Sequence, residues 1–229
     1  PGPQIINPFL MGKLPYDPLV DLTPVAALIV VPNLLVVHPS VPANSVKELI
    51  DYARGNPGKV NFSSAGIGAS SHLSGELFKH AANIQITHVP YKGSGAAMQD
   101  LLGGNVQMAI DSLPVLLPQI RSNKLRALAV STRDRSPVVP EIPTIADTLP
   151  GFDASAMNYI ATRGGTPRPI IERLNRAVNA ILAAPEIRER LQSLGGTTLG
   201  GTPEQLTAII LAEREKWKKV IEVSGAKAE

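Results

Sequence analysis

The residues with most chemical promise form the run Ser63-Ser64-Ala65-Gly66-Ile67-Gly68-Ala69-Ser70-Ser71. Its two glycines permit backbone conformations with positive φ. Serine hydroxyls and free amides at a helix start present donors to an anion, and the helix dipole adds to them. A carboxylate or a phosphate suits such a set. A tight strand-to-helix turn with Ser70 or Ser71 as N-cap is the other reading. The run is not a dinucleotide fingerprint. Gly66-x-Gly68-x-x-Ser71 lacks the third glycine, and the next strand ends His88-Val89-Pro90 without an acidic residue for a ribose. No G-x-x-x-x-G-K-[ST] loop occurs.

Two further positions carry polar groups at strand ends. Tyr91 could offer a hydroxyl, and Lys92 beside it a charge, although a solvated lysine is the simpler reading. Asp111 closes an apolar strand. It could receive a ligand amino group, a hydroxyl or a water, and it could equally cap the next helix. The histidines, His38, His72, His80 and His88, show no H-E-x-x-H or similar spacing, so no metal site is expected. No G-x-S-x-G elbow appears, and no nucleophile, base and oxyanion set can be assigned. The chain is therefore not expected to be an enzyme, and no cofactor is expected.

These residues need a frame. Ser45-Val46-Lys47-Glu48 has the form of a capping box. Val46, Leu49, Ile50 and Ala53 follow at helical spacing. Strands are expected over 59–63, 85–89, 106–111 and 125–130. Helices are expected on Leu73, Leu77, Phe78 and Ala81, on Ala97, Met98, Leu101 and Leu102, and over 113–120. This β-α-β-α-β-α-β series predicts a parallel sheet with helices on both faces. Its strand-to-helix loops, 63–71, 90–94, 111–114 and 131–136, then share one edge, where ligands of such sheets bind. Residues 136–150 hold Pro137, Pro140, Pro143 and Pro150 and are expected to connect two domains. Beyond them lie a strand over 155–162, a helix from Thr166-Pro167, a helix over 185–194, and a helix opened by the box Thr202-Pro203-Glu204-Gln205. The strand at 25–31 is expected to pack with this C-terminal section.

Composition narrows the function classes. The chain has 229 residues, 44% of them hydrophobic, enough for a buried core. Aromatics are only 4%, a poor stacking surface for single-stranded nucleic acid. The net charge of +3 is dispersed and marks no nucleic-acid or lipid patch. Cysteine is absent, which excludes disulfides and thiol catalysis. The most apolar stretch, 25–37, is broken at Pro32-Asn33 and is too short to span a bilayer. The sequence starts Pro1-Gly2-Pro3 without a visible signal peptide.

Several motifs stand in order along the chain. They are Leu14-Pro15-Tyr16-Asp17-Pro18, Asn61-Phe62-Ser63-Ser64-Ala65-Gly66-Ile67-Gly68, His72-Leu73-Ser74-Gly75-Glu76-Leu77-Phe78, and His88-Val89-Pro90-Tyr91-Lys92-Gly93-Ser94. Asp100-Leu101-Leu102-Gly103-Gly104, the run from Lys124 to Val130, and Gly200-Gly201-Thr202-Pro203-Glu204 complete them. Together they resemble the Bug-type substrate-binding receptors of tripartite tricarboxylate transporters. The resemblance implies a type II periplasmic-binding-protein fold, two α/β domains around a hinged cleft. Domain 1 would comprise 1–33 and 137–229, and domain 2, complete, 34–136. Domain 1 is expected to be incomplete, because the family's opening strand and glycine-rich loop have no counterpart here.

The resemblance also implies a function. The chain would be an extracytoplasmic, periplasmic receptor for a small carboxylate: a di- or tricarboxylate, an acidic amino acid or an aromatic acid. Its partner would be a membrane permease, with no nucleic acid and no membrane insertion of its own. A ligand-sensing receptor that feeds a signalling partner is the alternative. By position, Ser64, Ala65, Gly68, Ala69 and Ser70 would form the domain 2 half of the ligand site. Ala69 stands where the family usually has Thr or Ser. Tyr91 and Asp111 match positions near the cleft. Gly2, Pro3 and Gln4 match the loop presented by domain 1. The family's Trp-x-Gly appears here as Met157-Asn158-Tyr159.

Overall fold

The structure is a computed structural model that describes residues 2–193 and 195–227. The chain opens with a π-helical turn (Gly2–Ile6), α1 (Asn7–Leu10) and β1 (Leu22–Val31). Then come β2 (Asn33–Val37), α2 (Val46–Gly55), β3 (Asn61–Ser64), α3 (Ser70–Ala82), β4 (Thr87–Pro90) and α4 (Ser94–Leu102). After these follow β5 (Met108–Ser112), α5 (Leu113–Arg121), β6 (Arg126–Val130) and a 3-10 turn (Ile145–Asp147). The chain ends with β7 (Ala156–Arg163), α6 (Arg168–Ala183), α7 (Pro185–Ser193), β8 (Thr197–Gly200) and α8 (Pro203–Ser224). Leu194, expected to close α7, lies outside the described residues.

Contacts divide the chain into two units, Pro1–Val31 with Ala156–Glu229, and Pro32–Ser155. In the first unit β1 is the centre of a three-stranded antiparallel sheet, ordered β7-β1-β8. Helices α6 and α8 pack on β1, and its Val25, Ala26 and Ala27 are consecutively buried. The Thr202 box closes as expected. Thr202 Oγ1 accepts from the Gln205 amide at 3.2 Å, and Gln205 Oε1 accepts from the Thr202 amide at 2.8 Å.

The second unit holds a five-stranded sheet in the order β4-β3-β5-β2-β6. It corrects the all-parallel expectation. Strand β2 lies between β5 and β6, antiparallel to both. The apolar run 25–37 thus makes two strands in two sheets, and Pro32, which has no N–H to donate, marks the break. Strands β3, β4, β5 and β6 still run in one direction, so their strand-to-helix loops share one edge as expected. The start of β2 is at that edge too, with Asn33 paired to Ser112 and Leu34 to Asp111. On α2, Ser45 Oγ accepts from the Glu48 amide at 3.2 Å, but Glu48 Oε2 reaches the Asn44 amide, one residue beyond the box, at 2.8 Å.

A second correction concerns 137–155. This stretch does not leave the unit at 136. Val139 and Ile142 join the core built on Leu34, Leu101, Leu113 and Val130. Thr144 bridges Val130 in parallel, and Phe152 packs edge-on against Phe78 at 6.3 Å. The prolines break the stretch into successive turns, closed by bonds such as Val139 amide to Ser136 carbonyl and Ile142 amide to Val139 carbonyl, so it buries scattered apolar side chains without any periodicity.

Asn33 ties this stretch to the sheet. It is fully buried, and its Nδ2 donates to Ser74 Oγ at 3.1 Å and to the Ala154 carbonyl at 3.2 Å. Its amide donates to Ser131 Oγ at 3.0 Å, and that hydroxyl donates to the same Ala154 carbonyl at 3.1 Å. Asn33→Ala removes two buried bonds and leaves a small void. The expected loss is about 2–4 kcal/mol, read as a lower urea midpoint at unchanged slope.

Candidate functional site

The expected anion site is a continuous turn from β3 into α3. Gly66 and Gly68 have φ of 133° and 79°, where a side chain would be strained. Most donors in 65–69 are turned inward. The Ala65 amide donates to Ser71 Oγ at 3.0 Å, the Gly66 amide to Ser64 Oγ at 3.2 Å, and the Gly68 amide to His72 Nδ1 at 3.1 Å. The Ala69 amide donates to the Gly66 carbonyl at 3.2 Å. The Ile67 amide and the first turn of α3 remain. The amides of Ser70, Ser71 and His72 have no acceptor among the described residues, and Ala69 at the N-cap supplies none. The reading of Ser70 or Ser71 as N-cap gives way to this: Ser70 is the first helical residue and exposed, while Ser71 fastens the loop.

The loop after β4 is joined to this turn. The Tyr91 amide donates to the Ser64 carbonyl at 3.1 Å, and the Gly93 amide to the Ala65 carbonyl at 3.0 Å. Gly93, with φ of 99°, is the N-cap of α4, so Ser94 is inside the helix rather than capping it. The Tyr91 hydroxyl donates to Asp100 Oδ2 at 2.6 Å, and burial and that carboxylate push its pKa up to about 12. Its hydrogen is engaged within the fold. Lys92 is exposed.

Asp111 is the last residue but one of β5 at the same edge, 9% exposed, and does not cap α5. Its Oδ1 accepts from the Ser112 amide at 2.7 Å. Burial raises its pKa above the ordinary carboxylate value, and the Ser112 amide and Ser94 hydroxyl pull it partly back.

Beneath the turn lies a stack that sequence reasoning did not assign. The His72 and His88 rings stack at 3.9 Å and 18°, and Phe62 continues the stack on His88 at 4.9 Å. Ser64 Oγ and His88 Nε2 are 2.6 Å apart. Burial lowers the pKa of each histidine to about 4. The signal available in the sequence was His72 four residues after Gly68. Its ring partner His88 is sixteen residues away by number and adjacent only once β4 pairs with β3.

Gly2, Pro3 and Gln4 fall in the first unit, in the π-helical turn rather than in a loop. Gln4 is 1% exposed, and its Nε2 donates to the Pro18 and Leu22 carbonyls at 3.0 and 3.1 Å. The Pro3 carbonyl accepts from the Tyr16 hydroxyl at 2.9 Å. A cavity of about 500 Å³ in the same unit is lined in part by Arg168, Glu172, Arg176 and Glu204. Its charges are balanced, and Arg168 Nε is 2.9 Å from Glu172 Oε1, so it offers no net field to an anion.

The comparisons with known proteins fit this geometry. Residues 2–226 match the tripartite tricarboxylate transporter family receptor, TctC. The chain belongs to this family. TctC proteins are receptors, not enzymes. The protein BugT of Bordetella pertussis is 38% identical over 227 residues, covering 99% of this chain and 70% of BugT. An R. palustris protein, Rpa4515, solved with adipate, superposes with a TM-score of 0.88 at 37% identity, covering 99% of this chain and 76% of that one. MatC from Rhodopseudomonas palustris, solved with bound malate, superposes with a TM-score of 0.80 at 32% identity, covering 96% and 76%. The expected type II periplasmic-binding-protein fold is therefore shared with solved TctC relatives. The chain spans 65% of the length of a Pseudomonas relative 40% identical to it.

Proposed function

We propose that this TctC receptor captures a small carboxylate in the periplasm and delivers it to the membrane permease of a tripartite transporter. The observation that carries the reading is the first turn of α3, where three amides without acceptors among the described residues meet an exposed serine hydroxyl. A helix N-terminus favours an anion through both its free donors and its dipole. The adipate and malate held by two solved relatives are dicarboxylates, which supports that ligand class. One ligand carboxylate sits on the Ser70, Ser71 and His72 amides and the Ser70 hydroxyl, with Ser64, Ala65, Gly68 and Ala69 shaping the turn. Asp111 and Tyr91 bound the same edge.

Isothermal titration of the full-length protein with adipate, malate, citrate, glutamate and benzoate tests the reading, with glucose and zinc as controls. Saturable binding of at least one carboxylate and of neither control is expected. Binding of glucose or zinc, with no carboxylate bound, would overturn it.

A further inference from the structure

We propose that the stacked His72–His88 pair positions the anion-accepting turn, holding it while both rings are neutral and releasing it in acid. This rests on the carboxylate-receptor reading of the same turn.

Each ring holds a different part of the turn. His72 Nδ1 accepts the Gly68 amide at 3.1 Å, which fixes its ring proton on Nε2. That bond turns the Gly68 amide inward, so the remaining donors are the Ile67 amide and the first turn of α3. His88 Nε2 holds Ser64 Oγ at 2.6 Å, and the same oxygen accepts the Gly66 amide at 3.2 Å. The two rings thus fasten the turn at Ser64, Gly66 and Gly68, on either side of the exposed Ile67.

His72 can do this only as a neutral ring, whereas Nε2–H of His88 can donate to Ser64 Oγ in either state, while that hydroxyl donates to the Gly66 carbonyl at 3.3 Å. A protonated imidazole carries hydrogens on both nitrogens, so Nδ1 of His72 can no longer accept from Gly68. His72 is 4% exposed, and two charged rings in contact at 3.9 Å would repel strongly. The surrounding charges are few. On α3, Glu76 Oε1 is 4.0 Å from His72 Nε2, and Lys79 Nζ is 3.6 Å from Glu76 Oε2. From β4 His88 stacks on the ring, from β3 the neighbours are Phe62 and Ser64, and β5, which also packs on α3, carries the buried Asp111. Lys79 opposes protonation of both rings, and burial raises the Glu76 carboxyl pKa, weakening the countercharge it offers. The sign follows. Unfolded histidine binds its proton near pH 6.5 and these rings only near 4, so the fold loses stability as pH falls between those values and gains it as pH rises.

Two measurements on the full-length protein test this. Imidazole and amide NMR across the acid range should show His72 unprotonated at Nδ1 near neutrality. The Gly68 amide shift should move with the same midpoint as the two rings, well below the ordinary histidine value. Adipate titration at about pH 7 and about pH 3, a unit below the midpoint of the rings, should then show an affinity loss about tenfold greater in the wild type than in His72→Asn. The Asn amide oxygen can still accept from Gly68 but does not titrate, and protonation of adipate itself cancels in the comparison. Rings that titrate near 6.5, or a Gly68 shift with an unrelated midpoint, would overturn the proposal. So would equal acid losses in wild type and variant. A shared NMR midpoint in a protein that binds no carboxylate at any pH would overturn the functional reading while leaving the histidine latch intact.

Discussion

Ser70→Asp is expected to abolish carboxylate binding while leaving the fold as stable as before, or slightly more so. Ser70 is the exposed first residue of α3, and the first turn of that helix contains no acidic residue. A carboxylate there meets the positive end of the helix dipole and the free amides of the first turn, worth about 0.3–1 kcal/mol of stability. The same carboxylate occupies the place proposed for the ligand anion. Like charges held together in a recognition site cost several kcal/mol, which corresponds to a loss of about 100-fold or more in adipate affinity. Ser70→Ala removes one hydroxyl bond to an anion, and about a tenfold loss is expected. The combination decides the matter, because a merely damaged fold would lower both melting temperature and affinity. Calorimetric melting and adipate titration on the same samples read the two effects apart. Adipate binding unchanged in Ser70→Asp would show that the start of α3 is not the anion site.

How much of this could be read beforehand depends on where each signal is stored. The Thr202 box and the glycine turn are local. Their residues are within a few positions of one another, and their geometry follows from backbone rules that the sequence exposes. The common edge of the strand-to-helix loops was also readable, because it depends on strand direction and not on strand order. The placement of β2 was not. Its residues after Asn33, 34–37, are uniformly apolar and carry no mark of direction or neighbour. The stretch 137–155 misled because prolines usually signal an exit from a domain. Here Val139, Ile142, Ile145 and Phe152 are buried at intervals that match neither a helix nor a strand. The sequence of the turn is rich in donors but does not say which of them point outward. That is decided by acceptors brought from elsewhere: Ser71 and His72 from the next turn of helix, and His88, which fixes Ser64 from the neighbouring strand.

The support under the turn is expected to be the least tolerant place in the second unit, and Gly75→Ala probes it with a single methyl group. Gly75 is inside α3, where alanine is normally the better residue by about 0.8–1.0 kcal/mol. Here a Cβ would stand 2.9 Å from Phe62 Cζ and 2.5 Å from Cδ2, closer than carbon atoms approach in folded proteins. Phe62 has no room to retreat. It is fully buried on β3 and stacks on His88 at 4.9 Å. The strain therefore passes into the His88–His72 stack and so to Ser64 and Gly68. Overpacking of this kind costs about 1–3 kcal/mol and can cost more, so net destabilisation is expected despite the helix preference. It should appear as a lower urea midpoint together with weaker adipate binding. Phe62→Leu alone is expected to destabilise by opening a cavity. The double variant Gly75→Ala with Phe62→Leu should be more stable than the two single losses added together predict, because the leucine yields the volume that the new methyl group needs. Strictly additive losses in that cycle would mean that Gly75 and Phe62 are not in the contact described, and that the histidine stack is not braced by α3 at this point.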